Sequence, residues 1–199
     1  MNLLDLSKPL TVDQIEFRVQ SINRGGYATI LPYKDARCDM QRLDDVCTPL
    51  YWKREHSRDN RNCTISIYSQ EIKEWVGKED TGTESNAEAQ KGLASDSFKR
   101  SGFNWGIGRE LYDYPVISIL LKGGGSEAKN CEWYFNEKKK DRYGNPSPMA
   151  GYNLKLKDWL WYSEFDNGKL SYLSAVSPLG SKYENRFSWG HKKTTEKEK

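Results

Sequence analysis

Apolar residues fall in short bursts along this chain, and their spacing separates strands from helices. Cys63, Ile65 and Ile67 alternate with polar residues, which predicts a strand from Cys63 to Tyr68 with one side against a core. Leu50 to Glu55 reads as its extended neighbour, with Asp59-Asn60 supplying the turn between them. Further strands are predicted at Tyr27 to Tyr33, Glu74 to Lys78, Pro115 to Leu121 and Tyr183 to Trp189. Trp159 to Phe165 and Lys169 to Val176 flank Asp166-Asn167-Gly168, the strongest short hairpin signal in the chain.

Helical spacing occurs in three places. Ile15, Val19 and Ile22 follow a capping-box pair, Thr11 and Gln14, and predict a helix over 12–22 ended by Gly25-Gly26. A short helix is expected over 35–47. Ala87, Ala89, Leu93, Ala94 and Phe98 then form the narrow apolar face of a longer helix, with Ser85 and Glu88 as its capping box. The order predicts an α+β fold: an antiparallel β-sheet packed against a long helix, a β-β-β-α core, and an additional C-terminal hairpin. Lys138 to Pro148, KKKDRYGNPSP, reads as a charged loop, and the tail from His191 as disordered.

Composition narrows the class. A chain of 199 residues, 36% hydrophobic and 30% charged, suits one domain over 1–190 with a tail over 191–199. The N-terminus lacks a basic leader and the longest apolar stretch, Val116 to Leu121, is too short to cross a bilayer, so a cytoplasmic protein is expected. Cys38, Cys47, Cys63 and Cys131 show no paired ligand spacing, so reduced, mostly buried thiols are expected and neither a metal nor another cofactor. No phosphate-binding loop motif is present, and His56 and His191, the two histidines, read as surface residues, which leaves no nucleophile and base pair. A non-enzymatic role follows as the expectation.

Charge is sorted although the whole chain carries only +3: Lys91 to Arg109 is net +3 and Gln70 to Glu88 net −4. Such sorting suits a phosphate track beside an acidic flank. Asp96, four residues before Arg100, also has ordinary ion-pair spacing for a solvated helix face, and spacing alone leaves both readings open. Seven Trp and twelve Tyr can fill a core, stack on bases or form subunit interfaces. Glu79 and Asp80, with a second cluster at Asp39, Asp44 and Asp45, raise the alternative of a metal-dependent nuclease, although exposed acids in a turn and a helix are the simpler reading.

Between residues 77 and 113 the chain resembles the Rad-fifty-two superfamily of single-strand annealing proteins, including the Sak-type members of bacteriophages. The resemblance rests on Glu79-Asp80 followed by Gly82, Lys91-Gly92 before Ser95-Asp96, Lys99-Arg100, and Trp105-Gly106 leading to Leu111-Tyr112-Asp113. Gly25-Gly26 before the strand at Tyr27 extends it, so the recognisable core covers about 12–121, with 126–190 as an extension. The chain departs from the family at Phe103, where a further basic residue is common, and in a shorter path to Leu111. The resemblance implies ATP-independent binding of single-stranded DNA and annealing of complementary strands in recombination and repair, for a phage in its host's cytoplasm. It also implies a homo-oligomeric ring and raises a single-stranded DNA-binding protein as a further partner. Lys99 and Arg100 are then the leading phosphate contacts, Lys91 the next, and Arg24 beside the glycine turn the weakest. A coating protein that stacks bases on Trp and Tyr without annealing is the alternative.

Overall fold

The alternation at Cys63, Ile65 and Ile67 becomes the middle strand of a three-stranded antiparallel sheet, with those three side chains buried. The computed structural model describes residues 2–83, 89–124, 130–179 and 182–193; the side chains of 89–91 and 179 lie outside it. Its strands are β1 (Glu16–Ile22), β2 (Tyr27–Tyr33), β3 (Trp52–His56), β4 (Asn62–Ser69), β5 (Glu74–Thr81), β6 (Ile117–Leu120), β7 (Trp133–Lys140), β8 (Pro146–Ala150), β9 (Leu160–Asp166), β10 (Lys169–Leu179) and β11 (Lys182–Gly190). Among the described residues two α-helices, α1 (Ala36–Cys47) and α2 (Ala89–Asn104), complete an α+β fold in which the named strands pair antiparallel. Contacts divide the chain into two compact units, one of Met1–Ile15 with Lys34–Tyr112 and one of Glu16–Tyr33 with Asp113–Lys199.

In the first unit the sheet order is β3-β4-β5, and α2 packs on it as the predicted β-β-β-α core requires. Helix α1 begins where Asp35 accepts the backbone N–H groups of Arg37 and Cys38 at 2.8 and 3.0 Å, satisfying donors that the first turn leaves unpaired. The core joins Cys63, Ile65 and Ile67 to Leu6, Leu43, Cys47, Phe98 and Ile107. Each large apolar side chain buried there contributes roughly 1.5–3 kcal/mol. Burial pushes the thiols of Cys38, Cys47 and Cys63 up to about 11, so they stay protonated and inert.

The second unit is built from strands: the sheet β1-β2-β6, the sheet β9-β10-β11 and the hairpin β7-β8. Asn167 and Gly168, at φ 50° and 77°, make the tight turn between β9 and β10 that the sequence predicts.

Three expectations change. Residues 12–22 are not a helix: the capping pair serves only a 3-10 turn, Val12–Gln14, where Gln14 accepts the Thr11 N–H at 3.1 Å, and the chain then runs as β1. Ile15, Val19 and Ile22 imitate helical spacing, yet Phe17 at period two from Ile15 and Val19 is the buried residue of the strand, stacked on Trp161 at 3.6 Å. β2 pairs with β1 and β6 and not with β3, so it lies outside the sheet under α2. The charged stretch Lys138 to Pro148 is mostly a hairpin, with β7 and β8 closed by Asp141, whose carboxylate accepts the N–H groups of Tyr143 and Asn145. The Ser85–Glu88 capping box lies outside the described residues.

Candidate nucleic-acid interface

Helix α2 carries three of the four predicted contacts, and the end of β5 explains how its motifs meet. Gly82 lies so close to α2 that an added Cβ would come within 2.8 Å of the Leu93 carbonyl and 2.7 Å of the Ser97 nitrogen, so only glycine fits. Beside it, Asp96 accepts both the backbone N–H and the hydroxyl of Thr83, at 2.9 and 3.2 Å. Asp80 accepts from Arg100 at 3.3 Å and from the Asn104 amide at 3.3 Å. Asp96 thus engages Thr83, and Arg100 finds its carboxylate on β5, so the i, i+4 pair allowed by spacing is not the one formed.

The cations of α2 have separate surroundings. Arg100 is 41% exposed and its partner Asp80 27% exposed, which leaves the pair open to water. Lys99 is partly buried and pairs with no carboxylate among the described residues; its charge reaches Asp39 of α1. Neighbouring residues leave a helix about 100° apart, so Lys99 and Arg100 face different neighbours. Lys91 lies in the first turn of α2, and its side chain is outside the described ones. Arg109, past the end of α2, donates to the carbonyls of Phe103 and Asn104 at 2.8 and 3.2 Å and caps the helix with its positive charge. Arg24 belongs to the second unit, where it pairs with Asp141 at 3.3 Å and lies over the Phe135 ring.

Behind α2 lies a group that spacing did not reveal. Lys34, next after β2, pairs with Asp39 of α1; both side chains are fully buried. Lys34 also donates to the Ile107 carbonyl at 2.6 Å and sits 4.1 Å from the Phe103 ring centre. Asp39 Oδ2 has no hydrogen-bond partner among the described residues. Burial pushes the Asp39 carboxyl up to about 6 and Lys34 down. Gly102 makes room for this pair inside α2, since a Cβ there would stand 2.1 Å from Asp39 Oδ1. Asp39 is therefore not the exposed acid the sequence suggested. Asp44 accepts from the Trp52 ring nitrogen at 2.7 Å and Glu79 from Asn62 and Thr64 at 3.0 and 3.1 Å, so these acids serve the fold. No cluster of metal-ligating side chains occurs among the described residues. His56 is half-buried on β3, with burial lowering its pKa.

The face of the β3-β4-β5 sheet away from Cys63, Ile65 and Ile67 carries aromatics. Tyr68 has Tyr51 at 6.1 Å and Trp75 at 5.5 Å between ring centres, and Lys53 stands 5.3 Å from the Trp75 ring centre. Tyr51 and Trp75 are exposed. A run of exposed rings with a cation is the arrangement on which unpaired bases stack. No described helix is long and apolar enough to cross a membrane.

Over 90 residues the chain is 37% identical to the single-stranded DNA-binding protein DdrA of Deinococcus radiodurans, a match covering 44% of this chain and 43% of that protein. The match thus spans less than half the length of the relative. No family model and no solved structure matches the chain.

Proposed function

We propose that this protein binds single-stranded DNA without ATP and anneals complementary strands in recombination and repair, encoded by a phage and assembled as a homo-oligomeric ring. The observation that carries the reading is the likeness to a single-stranded DNA-binding protein. The α2 motifs support it: Arg100 holds a carboxylate that a phosphate can replace, and Lys99 holds none among the described residues. Annealing draws its energy from base pairing, so such a protein needs only to grip phosphates and leave base edges free.

The test is the pairing rate of two complementary labelled oligonucleotides at a concentration where spontaneous pairing is slow, with purified protein, magnesium and no nucleotide. Acceleration without cleavage supports annealing. Cleavage that a chelator abolishes points to a nuclease. A second reading, a coating protein, is favoured by the Tyr51, Tyr68 and Trp75 face, and predicts tight binding with no acceleration. Neutralising Lys99 and Arg100 together is expected to weaken binding across unrelated sequences. It should also flatten the salt dependence by about 1.4 in log-log slope, roughly 0.7 per lost phosphate contact, measured by titration at several salt concentrations.

A further inference from the structure

An open groove of about 440 Å³ runs beside β1 within the second unit, and none of its residues belongs to the proposed DNA contacts. Its lining includes the apolar residues Phe17, Val19, Leu154 and Leu156, and the cations Arg18, Lys155 and Lys157; no carboxylate lines it. Lys155 and Lys157 are exposed and pair with no carboxylate among the described residues. Arg18 is 68% exposed, stacked over the Tyr33 ring at 3.9 Å and 3.6 Å from Glu16. Phe17 is held by its stack on Trp161, so that part of the groove is preformed. β1 is an edge of its sheet, laddered to β2 alone among the described residues.

We infer that this groove receives an extended acidic peptide whose alternate residues are apolar. An edge strand offers a row of backbone donors and acceptors, and a strand added beside it sends successive side chains to opposite sides. An alternating peptide therefore places apolar side chains against Val19, Leu154 and Leu156 while its carboxylates meet Arg18, Lys155 and Lys157. Charge complementarity selects an acidic partner, and aliphatic lining selects a peptide over a nucleic acid. Bases need open rings to stack on, and the Phe17 ring is already taken by Trp161. This inference does not rest on the DNA-binding proposal.

Fluorescence anisotropy with a labelled peptide of alternating aspartate and leucine tests it, against a control in which lysine replaces aspartate. The acidic peptide is expected to bind in the range of about 10–100 μM, weak because a disordered segment must be ordered. Reversing two exposed charges, Lys155→Glu with Lys157→Glu, is expected to weaken it about tenfold or more while single-stranded DNA affinity stays unchanged. A thermal melt of the double variant matching the parent shows that the fold is kept. Equal binding of both peptides, or no effect of the double variant, overturns the proposal. Loss of DNA affinity in the double variant with no acidic-peptide binding also overturns it and makes the groove a nucleic-acid track. Failure of the annealing assay leaves the peptide result standing, so the two readings fail separately.

Discussion

Two ion pairs on either side of α2 differ chiefly in their access to water. Lys34 and Asp39 are sealed behind the helix, at 1% and 0% exposure, whereas Arg100 and Asp80 are 41% and 27% exposed at the end of β5. A buried pair must repay several kcal/mol of lost hydration per ion and cannot exchange partners; a surface pair contributes at most about 1 kcal/mol and can. The first is therefore placed to set the position of α1 and Ile107 against α2. The second is open to water and can exchange its carboxylate, which under the proposed function a phosphate would replace.

The largest effect should come from removing one partner of the sealed pair. Asp39→Ala leaves the Lys34 ammonium buried without its carboxylate partner, donating to the Ile107 carbonyl beside the Phe103 ring, and is expected to cost about 3–5 kcal/mol in urea unfolding. Asp39→Asn sharpens the point through pH. With the carboxyl held at about 6 in the folded protein against an ordinary value near 3.8, the folded state retains the proton through that window. Its contribution to stability is complete below about pH 4 and is lost as pH rises through 6. The stability difference between parent and Asp39→Asn should thus shift against the parent by on the order of 1–3 kcal/mol between pH 4 and 7. A difference that does not change with pH would place the titration elsewhere.

Gly102→Ala comes next. Alanine normally gains about 1 kcal/mol over glycine inside a helix, but here its Cβ would stand 2.1 Å from Asp39 Oδ1, and overpacking of this kind costs roughly 1–3 kcal/mol. The same change made in Asp39→Ala should cost much less, since the clashing oxygen is gone. A double-mutant cycle measures that coupling, and additive effects would show that the pair does not set the approach of α1 to α2.

This contrast was only half legible in the sequence. Strand alternation at Cys63, Ile65 and Ile67, the Asp166-Asn167-Gly168 turn and the long helix all emerged because each is a local signal. The helix expected over 12–22 failed because its apolar spacing fits two periods, and sheet pairing through β2 decided for a strand. The charged hairpin at β7 and β8 hid because its lysine run carries no apolar alternation. Lys99 and Arg100 were visible as a basic pair, but not that they face different neighbours. Lys34 and Asp39 were invisible as a pair, since each is an ordinary charged residue until tertiary packing removes the water around it. Gly102 was the available clue: a glycine inside a helix implies something pressed against it.

The smallest change in stability and the most direct reading of the exposed pair should come from Asp80→Asn. The amide keeps the shape but has a single acceptor oxygen, so it keeps the bond from Arg100 and gives up the one from the Asn104 amide, and unfolding should shift by about 1 kcal/mol. Removing the negative charge leaves Arg100 without its competitor, so single-stranded DNA should bind about two- to fivefold more tightly at low salt, with the gain shrinking as salt rises. Arg100→Ala should move affinity the opposite way. Affinity that falls in both variants would mean that the Asp80–Arg100 pair positions the helix, as the sealed pair does, and that the distinction between the two sides of α2 is one of burial alone.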